Sequence, residues 1–319
     1  MSMQRITVAV IGAGPVAALI TRRIQARADL QLADTGRTES LSPDSVPQGT
    51  HCAVYLPTVR ELTEGAAAQQ VTALLRAGVN VVTTAPSAAL GDTDLLAACR
   101  EGGSTFHGTG GFQSSLVTRV NRAFAAITRN IRDIELIEEL DIEDTPAHPW
   151  TTASDAGLAG DDPLALQAHA QAVEAYYDAG LHTLSAAVFG DEQPNAGITV
   201  TAHRVQHEEA PLRGRARQIT PVEQVVVRRM LGDHVAYDSI WTHRQGSATP
   251  LRYRLNTTSA DAVGHATLTF HAEGEVRPAD HLTCVGLLDA LQAVHKSAPG
   301  ILRHDLEINH VKSDERFAH

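Results

Sequence analysis

Residues 12 to 17 read Gly-Ala-Gly-Pro-Val-Ala, a G-x-G-x-x-A spacing. The chemistry of that spacing is anion binding at a backbone turn. Gly12 permits the tight turn, Gly14 lets the backbone approach a pyrophosphate, and Ala17 is small enough for close helix–strand packing. Pro15 suits the first helical turn, where its missing N–H is not needed, and Val16 follows it at the helix N-terminus that faces the anion. The ligand such a turn takes is a dinucleotide. Asp34, twenty residues beyond Gly14, can accept both ribose hydroxyls of NAD and would repel a 2′-phosphate. Arg37 and Thr38 can hold that phosphate instead, so the expected cofactor is NAD(P)H, leaning slightly to NAD. A glycine turn with no ligand is the bland alternative.

A hydride carrier needs a group to handle the proton, and two residues are candidates. His107 stands just before the Gly108-Thr109-Gly110 turn, and an imidazole suits proton transfer near pH 7. Glu138 interrupts the apolar even positions of IRDIELIEELDIED (131 to 144), where a carboxylate is out of place. The competing readings are a hydrogen-bonded structural histidine and a strand bulge that turns Glu138 outward. His148 and Trp150, in the loop PAHPW, are expected to line a substrate pocket or to pack a loop. Gln113 and Ser114 with Ser115, at a helix start, either hold an anionic substrate group or cap the helix. His203 and His207 are four apart, which on a strand separates them by about 13 Å. They cannot share one metal, and no metal is expected.

The elements that must position these residues alternate in the first third of the chain. RITVAVIG (5 to 12) is a β-branched run of the kind buried on both faces of a parallel sheet. A helix follows with Leu19, Ile20 and Ile24 on one side. LQLAD (30 to 34), HCAVYL (51 to 56), VNVVTT (79 to 84) and STFHGTG (104 to 110) read as strands. Helices over 64 to 78 and 92 to 103 separate the later ones, the second capped by Asp92 and stopped by glycine. Alternating β and α segments imply a doubly wound parallel sheet. Ligands bind outside the carboxyl ends of such strands. Leu56, Pro57, Thr84, Gly108 and Thr109 are therefore expected to complete the cofactor site.

From about residue 131 the strands become polar on one side, as in a half-solvated antiparallel sheet. Candidates are 131 to 144, 197 to 207, two strands within 220 to 243, 250 to 258 and 265 to 274. DDPLALQAHAQAVEAYYDAG, with Asp162 as N-cap, Pro163 in the first turn and Gly180 at the stop, is a helix covering the sheet. HLTCVGLLDALQAVHKSAPG (281 to 300) is a second, amphipathic helix. The fold class is α/β: an N-terminal Rossmann dinucleotide-binding domain and an α+β domain with an open mixed or antiparallel sheet. The expected boundaries are 1 to 115, with helix 281 to 300 packing back on it, and 116 to 280. Nicotinamide is expected at the cleft between them, with substrate on the sheet side.

The 319 residues are 43% apolar and 20% charged, ordinary for a globular protein. A net charge of −11 argues against wholesale binding of a phosphate backbone. No apolar run reaches the roughly 18 to 20 residues that span a bilayer. The N-terminus runs straight into a strand with no leader-like segment, so a cytoplasmic protein is expected. Cys52, Cys99 and Cys284 lack CxxC spacing, which disfavours a disulfide framework or thiolate zinc site. The only lysines are Lys296 and Lys312, leaving no place for a central catalytic lysine.

Three stretches carry a family resemblance: GAGPVA, NVVTT followed by HGTGGFQSSLVTRV (107 to 120), and DHLTCVGLLDALQAVHKSAPGILRHD (280 to 305). In order and spacing the chain resembles the dihydrodipicolinate-reductase-like group that includes 2,4-diaminopentanoate dehydrogenase and the native amine dehydrogenases. The resemblance implies NAD(P)H-dependent reduction of an imine to an amine, or the reverse, in a homodimer or tetramer. It also implies a carboxylate near the cofactor. This sequence departs there: after VNVVTT it has Ala85-Pro86-Ser87-Ala88-Ala89 where the group has acidic residues. Gly111-Phe112-Gln113-Ser114 replaces the usual Asn-Pro-Gly. Sugar dehydrogenases of similar layout carry Glu-Lys-Pro at that first place, and here Pro86 has no lysine before it. Semialdehyde dehydrogenases need an activated cysteine, and Cys99 is poorly placed for one.

The expected function is oxidoreduction of a C=N or CH–NH₂ bond in a small amine, amino acid or cyclic imine. A carbonyl or alcohol dehydrogenase on the same scaffold is the first alternative. A non-catalytic cofactor-binding protein is the second.

Overall fold

A computed structural model describes residues 5–33, 46–85, 87–109, 130–141, 197–209, 220–243, 251–271 and 276–302, with scattered positions between 164 and 189. The chain divides into two compact units, Met1–Phe112 with Asp280–His319, and Gln113–Ala279.

The first unit holds strands β1 (Ile6–Ile11), β2 (Leu30–Leu32), β3 (Cys52–Tyr55), β4 (Asn80–Thr83), β5 (Thr105–Gly108) and β12 (Gly300–Ile301). They form one sheet in the order β12-β5-β4-β3-β1-β2, and every pairing is parallel. Helices α1 (Pro15–Ala26), α2 (Val59–Thr63), α3 (Ala66–Arg76), α4 (Ser87–Leu90) and α5 (Asp92–Gly102) lie between the strands in sequence. The strand runs are apolar throughout because parallel strands are covered on both faces. Val8, Ala9, Ala53, Val54, Val81 and Val82 are fully buried. β1 sits between β2 and β3, so the strand order reverses at its carboxyl end. That reversal opens a crevice where such sheets take ligands.

α1 buries Ala17, Leu19, Ile20 and Ile24, the stripe its spacing predicts. α5 differs at its start. Its N-cap is Gly91, and the expected cap Asp92 is the first helical residue. Its stop is Gly103 at φ 66, as the sequence indicates. The short strand β12 is not legible in the sequence. It follows helix α6 (Pro278–Lys296), which begins three residues before the expected 281, and adds to the free side of β5. Asp29 ties α6 to the end of α1: Arg27 donates to both its oxygens, and Gln292 donates to Oδ2 at 2.9 Å. Burial alone would raise the Asp29 carboxyl; the Arg27 and Gln292 hydrogen bonds outweigh it and hold the group below its ordinary value.

The second unit holds β6 (Ile131–Asp141), β7 (Ile198–Glu209), β8 (Thr220–Leu231), β9 (Val235–His243), β10 (Leu251–Ser259) and β11 (Val263–Phe270) in the order β11-β10-β6-β9-β8-β7. The sheet is mixed. β6 pairs antiparallel with β10 but parallel with β9, so of the two expected forms, mixed or antiparallel, the sheet takes the mixed one. Alternation reports which residues share a face, and antiparallel and parallel strands alternate identically. On β6 the covered face carries Ile134, Leu136 and Glu138. On β10 it carries Leu251, Tyr253, Leu255 and Thr257. Leu164, Leu166, Gln167, Ala170 and Tyr177 are helical, as expected for the covering helix. Asp162, Pro163 and Gly180 lie outside the described residues.

Candidate functional site

In the first unit, those expected cofactor residues that are described stand at the carboxyl ends of the strands. Gly12 has φ 128, and a Cβ there would stand 2.8 Å from both Leu56 Cβ and the Leu56 carbonyl oxygen. The backbone after β3 therefore runs against β1's last turn, and the Leu56 amide donates to the Ile11 carbonyl at 2.8 Å. Gly14 has φ 96, and among the described residues no heavy atom beyond its chain neighbours lies within 4 Å of where its Cβ would be. It is the N-cap of α1, with Pro15 in the first turn, no side-chain cap and no acidic residue in that turn. An uncapped helix start beside open space is complementary to an anion. Val16 and Ala17 belong to this first turn. The pyrophosphate of a dinucleotide fits here: the open volume at Gly14 takes its oxygens, and nothing negative in α1's first turn opposes it.

The rim continues along the sheet. The Thr109 amide and hydroxyl both donate to the Thr83 carbonyl, at 2.8 and 3.2 Å, and the Ala85 amide donates to the Thr83 hydroxyl at 3.2 Å. These bonds lock the ends of β4 and β5 together, with Thr84, Gly108 and Thr109 side by side. Leu56, Pro57, Thr84 and Gly108 are half-buried. Asp34, Arg37, Thr38, Gln113, Ser114, His148 and Trp150 lie outside the described residues, as does Pro86.

His107 is 8% exposed at the end of β5. Its Nδ1 lies 2.9 Å from the Leu302 carbonyl. A carbonyl only accepts, so Nδ1 carries the proton of this bond. Leu302, the residue after β12, thus orients the ring of the candidate base, a link of 195 residues along the chain that no local pattern announces.

In the second unit, Glu138 points into the covered face and is 1% exposed. Tyr253 donates to Glu138 Oε1 at 2.6 Å and Tyr237 to Oε2 at 2.9 Å. The strands dictate this. Tyr253 on β10 is the cross-strand partner of Glu138, and Tyr237 on β9 partners Leu136, one step away on the same face. Burial, and then the Glu138 charge, push both phenols well above their ordinary value. Arg229, on β8, is the cross-strand partner of Tyr237. It is fully buried, donates to the Ser239 hydroxyl at 3.1 Å and stacks 3.7 Å over the Tyr177 ring. Ser239 is in turn the partner of Glu138. A carboxylate and a guanidinium therefore share one buried polar cluster with three tyrosines and a serine. Compensating charges of this sort make burial tolerable.

Sequence reading found Glu138 but not Arg229, although the same signal marks both. Arg229 breaks the apolar alternation of Val225, Val227 and Leu231, as Glu138 breaks that of Ile134 and Leu136. Tyr237 and Tyr253 gave no such signal, because tyrosine fits an apolar strand face. All three cysteines are buried, and burial pushes the Cys52 thiol up to about 12 and the Cys284 thiol to about 11. Cys99 is raised likewise by burial, which removes the thiolate a nucleophile needs. His203 and His207 both lie on β7, as the strand reading has it.

No protein-family model and no curated protein matches the chain in sequence. Solved structures do match in fold. An amine dehydrogenase from Mycobacterium smegmatis aligns with 96% of this chain and 99% of its own, at 15% identity and a TM-score of 0.60. A myo-inositol 2-dehydrogenase from Lactobacillus plantarum aligns with 95% of this chain and 92% of its own, at 10% identity and a TM-score of 0.58. GenD2 from gentamicin A biosynthesis, solved in complex with NAD, aligns with 94% and 90%, at 15% identity and a TM-score of 0.51. What the chain shares with them is the two-domain fold of Rossmann-type dehydrogenases. That fold extends beyond the amine dehydrogenase group which the sequence resembles, since an inositol dehydrogenase has it too.

Proposed function

We propose that the protein is an NAD(P)-dependent oxidoreductase acting on a C=N or CH–NH₂ bond of a small amine, amino acid or cyclic imine. The observation that carries the cofactor is the open, uncapped start of α1 at Gly14, set at the point where the strand order reverses. GenD2, a neighbour in fold, is solved with NAD. When bound, the nicotinamide supplies hydride exchange at carbon. The chain's own residues do the rest. Gly12, Gly14, Pro15, Val16 and Ala17 receive the pyrophosphate, Leu56, Pro57, Thr84, Gly108 and Thr109 line the rim, and Asp34 or Arg37 with Thr38 selects the ribose.

Two groups are assigned the proton. His107, whose Nδ1 is held by the Leu302 carbonyl, is the first. Glu138 is the carboxylate this chain retains in place of the acidic residue missing from Ala85–Ala89, and an anion there favours a cationic iminium or ammonium over a neutral carbonyl. Gln113, Ser114, His148 and Trp150 are assigned to substrate. The cofactor domain is assigned residues 1 to 115 with the late helix α6, and the substrate domain residues 116 to 280. A carbonyl or alcohol dehydrogenase is the second reading, favoured by the inositol dehydrogenase among the fold neighbours.

Oxidation of NADH and NADPH, followed with a panel of ketones with and without ammonia and of cyclic imines, tests this. Turnover that needs ammonia or a preformed imine supports the first reading. Turnover of ketones alone supports the second. Tight cofactor binding with no turnover overturns both in favour of a cofactor-binding protein without catalysis.

A further inference from the structure

The buried polar cluster of the second unit is built in two tiers around Glu138. In the inner tier each carboxylate oxygen takes one phenol. Tyr253 donates to Oε1 at 2.6 Å and Tyr237 to Oε2 at 2.9 Å. A donor on each oxygen fixes the carboxylate plane, because turning it stretches both bonds at once. Strand register supplies the donors from opposite sides. β10 sets Tyr253 directly across from Glu138, and β9, on the other side of β6, sets Tyr237 across from Leu136 on the same face.

The outer tier braces the two phenol rings. The Tyr253 ring meets that of Phe270, on β11, edge-on with centroids 6.5 Å apart. The Tyr237 ring lies 5.2 Å from that of Tyr177, on the covering helix, and the Arg229 guanidinium stacks 3.7 Å over Tyr177. Tyr177, Tyr237 and Tyr253 are all buried. Rings enclosed at interior packing density keep one orientation.

The titratable groups gathered with Glu138 on this face, among the described residues, are Tyr237 from β9, Tyr253 from β10, Arg229 from β8 and Tyr177 from the helix. Burial works against a charge on Glu138. Two O–H donors and a neighbouring cation work for it. The donors are dependable, because burial, and then the Glu138 charge, hold both phenols well above their ordinary value and so keep their protons in place. The competing arrangement is a protonated Glu138 that donates to one phenol oxygen.

With Glu138 assigned to the reaction as above, we propose that Tyr237 and Tyr253 are positioning residues that act through it, a clamp that fixes its carboxylate and keeps it ionised inside the fold. Tyr177, Arg229 and Phe270 hold the clamp in shape. A fixed charge in low-dielectric surroundings acts more strongly on an iminium or ammonium than the same charge in water. The clamp keeps that charge in one orientation.

The full chain tests the clamp without turnover. Carbon-13 NMR of glutamate-labelled protein reads the side-chain carboxyls, and Glu138→Gln identifies the Glu138 signal by its loss. The wild-type signal is expected to remain that of a carboxylate down to about pH 4.3, the ordinary glutamate midpoint. Tyr253→Phe removes one donor and keeps the ring against Phe270. It is expected to raise the midpoint by about 1–2 pH units, the worth of one hydrogen bond to a charged group. Tyr237→Phe is expected to do the same, and decides alone if Tyr253→Phe does not fold. A wild-type midpoint above the ordinary value, which the protonated arrangement gives, overturns the proposal. So does a midpoint that loss of a phenol leaves unmoved. Kinetics test the reading beneath. With any compound that is turned over, the acidic limb of kcat/KM is expected to move up with the midpoint in Tyr253→Phe. A limb that stays while the midpoint moves overturns the positioning role. No turnover of any compound ends the oxidoreductase reading, and with it that role, while the carboxyl titration still decides the clamp.

Discussion

Gly12 and Gly14 share a positive φ, at 128 and 96, but differ in what surrounds them. Gly12 is required by its neighbour, because any Cβ meets the Leu56 backbone at 2.8 Å. Gly14 is required by its φ of 96 and by the space it leaves open. Gly12→Ala is therefore expected to lower both thermal stability and NADH affinity. Gly14→Val is expected to cost about 1–2 kcal/mol in backbone strain and to abolish measurable NADH binding. Calorimetric titration beside a thermal melt separates the two, and unchanged affinity in Gly14→Val would refute the pyrophosphate assignment. The Glu138 cluster makes its own demand. Tyr253→Phe leaves a buried carboxylate oxygen short of a donor and is expected to cost about 1–3 kcal/mol in urea unfolding. Glu138→Gln removes the charge that helps to hold the Tyr237 and Tyr253 phenols high. Their ultraviolet titration is then expected to move down toward the ordinary range, though burial keeps it raised. An unmoved titration would mean that Glu138 is not the anion felt by the two rings.

Elements meet closely where α3 and α5 cross. A Cβ on Gly102 would lie 1.9 Å from the Leu75 carbonyl and 2.9 Å from the Arg76 backbone, so the helices must part to accept it. Ser104 bonds the same Leu75 carbonyl at 2.8 Å. Gly102→Ala is expected to destabilise by about 1–3 kcal/mol, despite alanine's better helix propensity. A variant as stable as the wild type would show that the crossing yields at no cost. The end of α6 gives a pH dependence. His295 stacks edge-on against His51 at 5.1 Å. Burial, then the His51 and Lys296 charges, depress its pKa below 6.5. His281, at the start of α6, is depressed by burial and by Arg23. A depressed histidine is protonated more readily once unfolded, so its stabilisation is full above pH 6.5. It is lost as pH falls through the folded-state values. Unfolding free energy is expected to drop between pH 7.5 and pH 5, and His295→Asn is expected to flatten part of that slope. An equal slope in the variant would remove His295 from the account.

For the whole molecule, ligand linkage offers a readout that needs no substrate. A cofactor that binds only the folded chain stabilises it by about 2.7 kcal/mol at a hundredfold excess over Kd. NADH or NADPH is thus expected to raise the melting temperature by several degrees, and Gly14→Val to abolish the rise. A wild type indifferent to both nucleotides would end the oxidoreductase reading. The sequence by itself determined the local layers of this protein. Alternation and β-branched runs place the strands, glycine and proline mark the α1 turn, and an acid in an apolar row marks Glu138, because each rests on neighbours within one or two turns of chain. Only the tertiary structure decided the rest. It brought β12 and Leu302 to His107 across 195 residues and set β6 parallel to β9. It also gathered Tyr237, Tyr253 and Arg229 around the carboxylate. Those contacts join strands distant in sequence, and a side-chain period records which face a residue takes but not which strand lies beside it.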